Sequence, residues 1–370
     1  MTPMTTTELE FLAFAGPDGA DAVVEELVAL QRQRIEEFRP GDPMPTIEKM
    51  IRRVRSPEYP NAVSGWVVAR RDGRMVGYGS WHIDLQDNPQ QVWLSVFVPD
   101  ERRRKGIGAR LIDRMLVQVE PFGPSMAGFG ISVHVPVGQR LAEWVEGDWA
   151  LVPRTIERVA RLKLAELDRG MVDEVLAARR ARLDERYRPL FFAMDELPPP
   201  ETGFEMDDFL AMVTEIENLM PLDDLALNPE HFTRERFQAQ VDTARFEGRV
   251  IWNYVVCERA TGHCVGITNV AFDPEEPQII HQWDTGVIKT AQEQGLGKYL
   301  KVLMLAKLLD EVPGALYVDT ENAATNAAMI AVNTALGFQE HFRTHDYQIE
   351  LPRLRERVDA MLAKGGAPSA

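Results

Sequence analysis

Two short glycine loops carry the clearest chemistry in this sequence: Arg103-Arg104-Lys105-Gly106-Ile107-Gly108 and Gln292-Glu293-Gln294-Gly295-Leu296-Gly297. Each follows a strand-like run, Val92 to Val98 or Ile279 to Val287, and each opens an amphipathic helix. Glycine lets the backbone turn tightly with its N–H groups facing one point. The helix entrance adds unpaired donors and the positive end of the helix dipole. Such a cup suits a diphosphate. A dinucleotide fingerprint would need a third glycine where Leu111 or Leu300 stands, and a P-loop would need Gly-Lys-Ser/Thr after a longer gap.

The elements that position these loops occur twice. An offset of 189 residues carries Gly106 onto Gly295 and, with no gap, Arg70 onto Arg259, Gly73 onto Gly262, Val76-Gly77 onto Val265-Gly266, Asp84 onto Asp273, Val98 onto Val287, Leu111 onto Leu300 and Met115 onto Met304. Register kept that long points to a duplicated domain. A chain of 370 residues leaves each copy a sizeable core. The first copy reads as a strand at Leu9 to Ala15, a helix from Ala20 to Phe38 and a Thr46-capped helix to Val54. A hairpin follows, Trp66 to Arg70 with Met75 to Ile83, then Val92 to Val98, the helix Ile107 to Val119, a strand at Ile131 to Val135, a helix at Gln139 to Val145 and a closing strand at Arg158 to Leu164. Met171 to Arg186 reads as a connecting helix and Pro198-Pro199-Pro200 as a stiff spacer. The second copy follows the same plan: helices at Met206 to Met220 and Thr233 to Phe246, a hairpin of Val250 to Cys257 with Cys264 to Phe272, a central strand at Ile279 to Val287 and a helix at Gly297 to Leu309. It ends with a strand at Ala315 to Val318, a helix at Asn326 to Ala335, a late strand at Tyr347 to Leu351 and a frayed tail from Gly365. This order predicts an α/β fold with a mixed α+β sheet in each copy, bounded at 1–167 and 191–370 with a linker at 168–190.

Composition narrows the function classes. A net charge of −16 argues against a nucleic-acid partner, because a phosphate polymer would be repelled over most of the surface. No apolar run approaches the ~18 residues of a membrane span, and Met1 to Gly16 lacks the pattern of a signal peptide, so a cytoplasmic protein is expected. Cys257 and Cys264, seven residues apart across a hairpin, read as buried thiols, and no metal-ligand spacing occurs. From Phe191 to Glu230 there are many carboxylates and no Lys or Arg; this is either a solvated face or a field that draws in a cationic small molecule. Trp66, Trp81 and Trp93 read as core or cleft wall, and His82 and His134 as packing residues.

Strand, then [RQ]-x-x-G-x-G entering a helix, twice over, resembles motif A of the GNAT superfamily of N-acetyltransferases. Asn322-x-x-x-Asn326-x-x-Met329-x-x-x-Asn333-x-x-Leu336-Gly337-Phe338 is similar to the helix that follows and its Gly-Phe ending. The resemblance implies tandem GNAT domains and an acyl-coenzyme A co-substrate, most simply acetyl-coenzyme A, without a metal. Backbone groups at Val96, Val98, Thr285 and Val287 would then hold the pantetheine arm. Arg103, Arg104, Gly106, Ile107 and Gly108, with Gln292, Gln294, Gly295, Leu296, Gly297 and Lys298, would hold the diphosphate, and Asn322 and Asn326 would touch cofactor or substrate amide. The family's usual tyrosine, four residues before the Gly of the Gly-Phe pair, is Asn333 here, which leaves the proton donor to Tyr299, to water or to another group. An amine acceptor must shed a proton before it attacks; Asp284 is the candidate base, with His281 behind it. Ser95 stands in the place of Asp284 in the first copy, so the second copy is expected to be the catalytic one. The expected activity is transfer of an acetyl or other acyl group to a small, cationic primary amine. A non-catalytic acyl-coenzyme A sensor and a transferase using another donor, such as an aminoacyl-transfer RNA, remain as alternatives.

Overall fold

A computed structural model describes residues 9–57 and 59–365. In chain order the elements are β1 (Glu10–Phe14), α1 (Asp21–Phe38), α2 (Ile47–Val54), β2 (Ala62–Arg71), β3 (Arg74–Asp84), β4 (Gln91–Phe97), α3 (Ile107–Val119), β5 (Met126–Ser132), α4 (Pro136–Asp148), β6 (Thr155–Lys163), α5 (Arg169–Leu183), β7 (Tyr187–Ala193), α6 (Met206–Glu217), α7 (Arg234–Glu247), β8 (Val250–Glu258), β9 (Cys264–Phe272), β10 (Ile279–Val287), α8 (Leu296–Glu311), β11 (Tyr317–Ala323), α9 (Ala327–Ala335), β12 (Gln339–Glu350) and α10 (Leu351–Gly365). Most of the expected elements stand within a few residues of their predicted ends; the tail at 366–370 lies outside the described residues.

The chain folds into two compact units that do not follow the two sequence copies. Unit 1 takes the chain up to Arg154, adds Leu225–Leu227, and resumes at Thr344; unit 2 takes Thr155–Asp224 and Asn228–Arg343. The boundaries 1–167 and 191–370 are therefore corrected. β6, expected to close the first copy, pairs antiparallel with β11 in unit 2, while Thr344–Glu350 of β12 pairs antiparallel with β5 in unit 1. Within unit 1 the strand order is β1-β2-β3-β4-β5-β12, and within unit 2 it is β7-β8-β9-β10-β11-β6. In each, among the described residues, the parallel neighbours are the two strands that flank the glycine loop and its helix, β4 with β5 and β10 with β11.

A local physical cause for the exchange lies in the pairing residues. Arg161 of β6 sits directly opposite Asp319 of β11 and grips it through two hydrogen bonds of 2.7 Å. The pair is one residue before the point where β11 leaves β10, and the matching place in unit 1 holds Ala127 opposite Ile349. A guanidinium carried into that apolar place would have no carboxylate to meet.

Three further differences from the sequence reading have similar explanations. Residues 168–190 are not a linker, because Val172, Leu176 and Leu183 of α5 are buried in the core of unit 2 with α8, and β7 begins at Tyr187. β5 lies at Met126–Ser132 rather than at Ile131 to Val135; its glycines obscured it, yet a Cβ on Gly128 would come within 2.8 Å of the Trp93 ring and one on Gly130 within 2.6 Å of the Asp346 carboxylate. α10 escaped notice although Leu354 and Val358, one turn apart, bury themselves in the core of unit 1 with α3. Cys257 and Cys264 are free, buried cross-strand partners with sulfurs 3.5 Å apart, as the hairpin reading expected.

Candidate active site

Both glycine loops fold alike, and the backbone explains why. Arg104 and Glu293 adopt left-handed φ of 59° and 63°, and Gly106 and Gly295, one step before their helices, adopt 73° and 80°. Two left-handed residues two apart tip the intervening amides outward, and the first intrahelical hydrogen bonds come only at Arg110 N to Gly106 O and Tyr299 N to Gly295 O. A Cβ on Gly106 or Gly297 would meet no atom within 4 Å, so both cups have room for an anion. The leading side chain of each loop has a different task from the one expected. Arg103 Nε donates to Val98 O at 2.8 Å and its guanidinium pairs with Glu37; Gln292 Nε2 donates to Val287 O at 3.3 Å. Arg103 and Gln292 thus brace the strand ends rather than reaching into the cup.

The charge above the loops differs. Loop 1 carries its own cations, Arg104 and Lys105, the latter tied to Glu101 O. In loop 2, Gln294 accepts from Tyr187 Oη at 2.8 Å, and the cation comes from α5: the Arg179 guanidinium lies where a Cβ on Gly295 would be, 2.1 Å from that point. Sequence reasoning missed Arg179 because it lies over a hundred residues from the loop it serves.

Beyond each loop the parallel strands part. β4 pairs with β5 only through Trp93 and Gly128, and β10 with β11 only through Gln282 and Thr320. The two central strands then diverge in detail. β4 pairs evenly with β3 along its length, whereas β10 slips by one residue against β9 between Gln282 and Thr285. This bulge gives Gln282 and Thr285 the same side, that of α8, and turns Asp284 to the opposite side, that of α6. Asp284 and Thr285 thus take one face each.

On the α6 side, Asn253, Asn269 and Asp284 form a row across β8, β9 and β10. The Asp284 N–H donates to Asn269 Oδ1 at 2.8 Å, and Asn269 Nδ2 donates to Asp284 Oδ2 at 3.1 Å. The Asp284 carboxyl meets that of Glu217, the last residue of α6. Burial, then the neighbouring Asp284 and Glu230, push Glu217 up to about 9, with Arg236 opposing; burial also raises Asp284. Their mutual hydrogen bond favours the protonated form of Glu217 and the ionised form of Asp284. Burial of Asn253 leaves its Nδ2 without a hydrogen-bond partner among the described residues. His281 pairs with Ala271, which packs against α6 and α7, so His281 faces the same side as Asp284. Glu217 was invisible from sequence, being one of many carboxylates between Phe191 and Glu230. Several of the others are committed: Asp207 to Arg234, Asp208 to Cys264 N, Glu215 to Lys289 N, and Asp223 to Thr155 and Thr325.

The remaining candidates separate. Asn333 Nδ2 donates to Asn322 Oδ1 at 2.8 Å, a contact the sequence reading did not anticipate, and Asn333 Oδ1 is buried without a partner among the described residues. Asn326 Oδ1 caps α9 by accepting from Met329 N. Tyr299 is buried in the α5–α8 core, where Asp184, Arg180 and Arg259 are its charged neighbours; burial raises its hydroxyl's pKa. It does not reach the Asp284 side. In unit 1 the corresponding row is Trp66, Ser80 and Ser95. Arg34 of α1 donates to Ser95 Oγ at 3.1 Å, and the row, with His82 and Trp93, lines an open cavity of about 400 Å³.

Glycine cups before helices, and parted parallel strands beside them, define an architecture that comparison bears out. Residues 27–123 match the Acetyltransferase (GNAT) family. A tandem GNAT protein from the clavulanic acid biosynthesis pathway superposes with a TM-score of 0.71 at 21% identity, over 93% of this chain and 98% of that one. The chain has a tandem GNAT fold. Other structures similar to this chain are a GCN5-related N-acetyltransferase from Sphaerobacter thermophilus, with a TM-score of 0.60, 16% identity and coverage of 92% and 95%, and a GCN5-related glucosamine N-acetyltransferase region of a fungal multi-domain GH3 β-N-acetylglucosaminidase. The latter has a TM-score of 0.64 and 12% identity, covering 93% of this chain and 38% of that one. No curated protein sequence matches the tandem GNAT chain. Its family match falls on the first copy, whose cleft lacks the carboxyl pair.

Proposed function

We propose that this protein is an acyl-coenzyme A dependent N-acyltransferase, most simply an N-acetyltransferase, whose acceptor chemistry resides in unit 2. The observation that carries this reading is the bulge in β10, which sets Asp284 against Glu217 on one face of the parted strands. The donor's diphosphate fits the amide cups at Gly295–Gly297 and Gly106–Gly108, and its charge would be met by Arg179 in unit 2. When bound, the donor supplies an activated acyl group; the chain's own residues then manage charge and protons. The Glu217–Asp284 pair, holding one proton and one negative charge, attracts the ammonium of a small primary amine and takes one proton from it before the nitrogen attacks the acyl carbon; as the C–N bond forms and the C–S bond breaks, the second N–H proton leaves with the thiolate as free thiol. Asn269 keeps the Asp284 carboxylate pointed at that amine through its two hydrogen bonds. A cationic acceptor follows from the pair's charge.

A second reading, a sensor that binds acyl-coenzyme A without transfer, is favoured by Asn333, which has no ionisable proton where the family places a tyrosine. A thiol-release assay over an amine panel separates the two readings. Gly297→Glu and Gly108→Glu each place a carboxylate in one cup, at a first-turn position that suits helix stability and has free space. Loss of turnover in Gly297→Glu, with Gly108→Glu active, is expected. Background thiol release with every amine, despite donor binding, would favour the sensor.

A further inference from the structure

On the α8 side of β10, unit 2 buries a chain of polar side chains. Lys301 Nζ donates to Gln282 Oε1 at 2.9 Å, Gln282 Nε2 donates to Thr268 Oγ1 at 2.9 Å, and Thr268 Oγ1 lies 2.7 Å from Thr285 Oγ1. Lys301, Gln282 and Thr268 are 1%, 4% and 0% exposed. Unit 1 fills the corresponding places with Ile112, Leu94, Gly79 and Val96. The apolar version folds, so the polar chain is not needed to build a sheet and helix of this kind. It is also costly: no carboxylate among the described residues offsets the Lys301 charge, the Phe338 ring lies 5.4 Å from Nζ, and burial pulls the ammonium down to about 7.

With Lys301 protonated, the hydrogen-bond directions are forced. An amide oxygen only accepts, so Lys301 must donate to Gln282, and the Gln282 nitrogen must donate to Thr268. The Thr268 hydroxyl can then give its own proton to Thr285. Thr285 is thereby satisfied as an acceptor and left with a hydroxyl proton to offer. It stands on the stretch of β10 that has parted from β11, beyond the last paired residues Gln282 and Thr320. Reversing Gln282 would set its NH2 group against the Lys301 donor, so Lys301 locks the amide and with it the whole chain. On the helix α9 that follows β11, the unpartnered Oδ1 of Asn333, a residue 3% exposed, independently offers an acceptor for a ligand N–H.

We propose that Lys301, acting through Gln282 and Thr268, holds the Thr285 hydroxyl as a hydrogen-bond donor to the negative charge that develops on the acyl thioester during transfer. The inference rests on acyl transfer in unit 2. It makes Thr285 a catalytic residue and Lys301 a positioning residue, and it supplies by hydrogen bonding what Asn333 cannot supply as an acid. No proton passes along the chain, since an amide is a poor relay.

The test is a double-mutant cycle with steady-state kinetics, melting temperature and isotope-edited infrared spectra of bound carbonyl-¹³C acetyl-coenzyme A. Thr285→Val should lower kcat by roughly 10²-fold, the loss seen for a single transition-state donor, and Thr285→Ser should restore it. Lys301→Met should lower kcat on the order of tenfold with KM little changed, and the double variant should lose no more than Thr285→Val, because the two act through one donor. A merely structural lysine would move the melting temperature instead, and Met in an apolar core should hold or raise it. Parent-like kcat in Lys301→Met, or losses that multiply in the double variant, overturns the inference while leaving acyl transfer standing. Should the parent transfer no acyl group to any amine, the proposed function fails, and the carbonyl band decides this inference by itself. A band shift weakened in both Thr285→Val and Lys301→Met supports it, and an unchanged band overturns it.

Discussion

The two clefts of this protein share a backbone plan and differ in what one residue of slippage did to it. In unit 1, β4 runs evenly beside β3, and its row of Trp66, Ser80 and Ser95 meets Arg34. In unit 2, the bulge in β10 turns Asp284 toward Glu217 and sends Thr285 to the other side, toward a buried lysine chain. Asp284, the proposed base, and Thr285, the proposed hydrogen-bond donor, thereby come to lie on opposite faces of one parted strand. The scaffold occurs twice; the carboxyl pair and the buried lysine chain are found on one copy. The copy that matches the family by sequence is the other one.

The comparison can be broken most directly at Asp284. Asp284→Asn keeps its hydrogen bonds with Asn269 in reach but removes the charge, and kcat should fall by roughly 10²–10⁴-fold, while Ser95→Ala should leave turnover unchanged; the reverse result in a thiol-release assay would reassign the working unit. Next in size is the pair that commits β6 to unit 2. Arg161→Ala strands a buried carboxylate and should cost about 3–5 kcal/mol by denaturant unfolding, whereas Ile349→Val at the matching place in unit 1 should cost only about 1 kcal/mol. Arg179→Ala removes the guanidinium laid beside Gly295 of loop 2 and should raise KM for the acyl donor about tenfold, the worth of a charged hydrogen bond, with kcat little affected. An unchanged KM would place the donor in loop 1.

The smallest effect is a matter of pH. Glu217 has a folded pKa of about 9 against an ordinary 4.5, so the folded state binds the extra proton between these values. Its stabilising share is whole below about pH 4.5 and is lost as pH rises through 9. Glu217→Gln, which mimics the protonated form, should therefore unfold at a temperature less dependent on pH across that window than the parent. Equal slopes would separate Glu217 from Asp284 and end the shared-proton account.

Much of this was legible in the residues. The loops, their left-handed glycines and the strand-helix order followed from spacing, because backbone geometry at a strand-to-helix turn is a local matter. Asp284 could be singled out, yet its partner could not. Glu217 is an ordinary helix-ending carboxylate until α6 sets it against β10, and Lys301 looks like an amphipathic helix's surface lysine until the helix turns it into the core. Tyr299 misled for the same reason in reverse. Its position near the loop suggested an acid, and the packing of α5 over α8 enclosed it in the core.

The sequence by itself determined the duplication, the two amide cups and the places where strands and helices begin, since each depends on contacts between residues close in the chain. Tertiary structure alone decided which closing strand joined which unit, because β6 and β12 carry similar patterns and only a partner such as Asp319 tells them apart. It also decided which side Asp284 faces, because a one-residue bulge reverses side-chain direction and is settled only when β10 finds its register against β9.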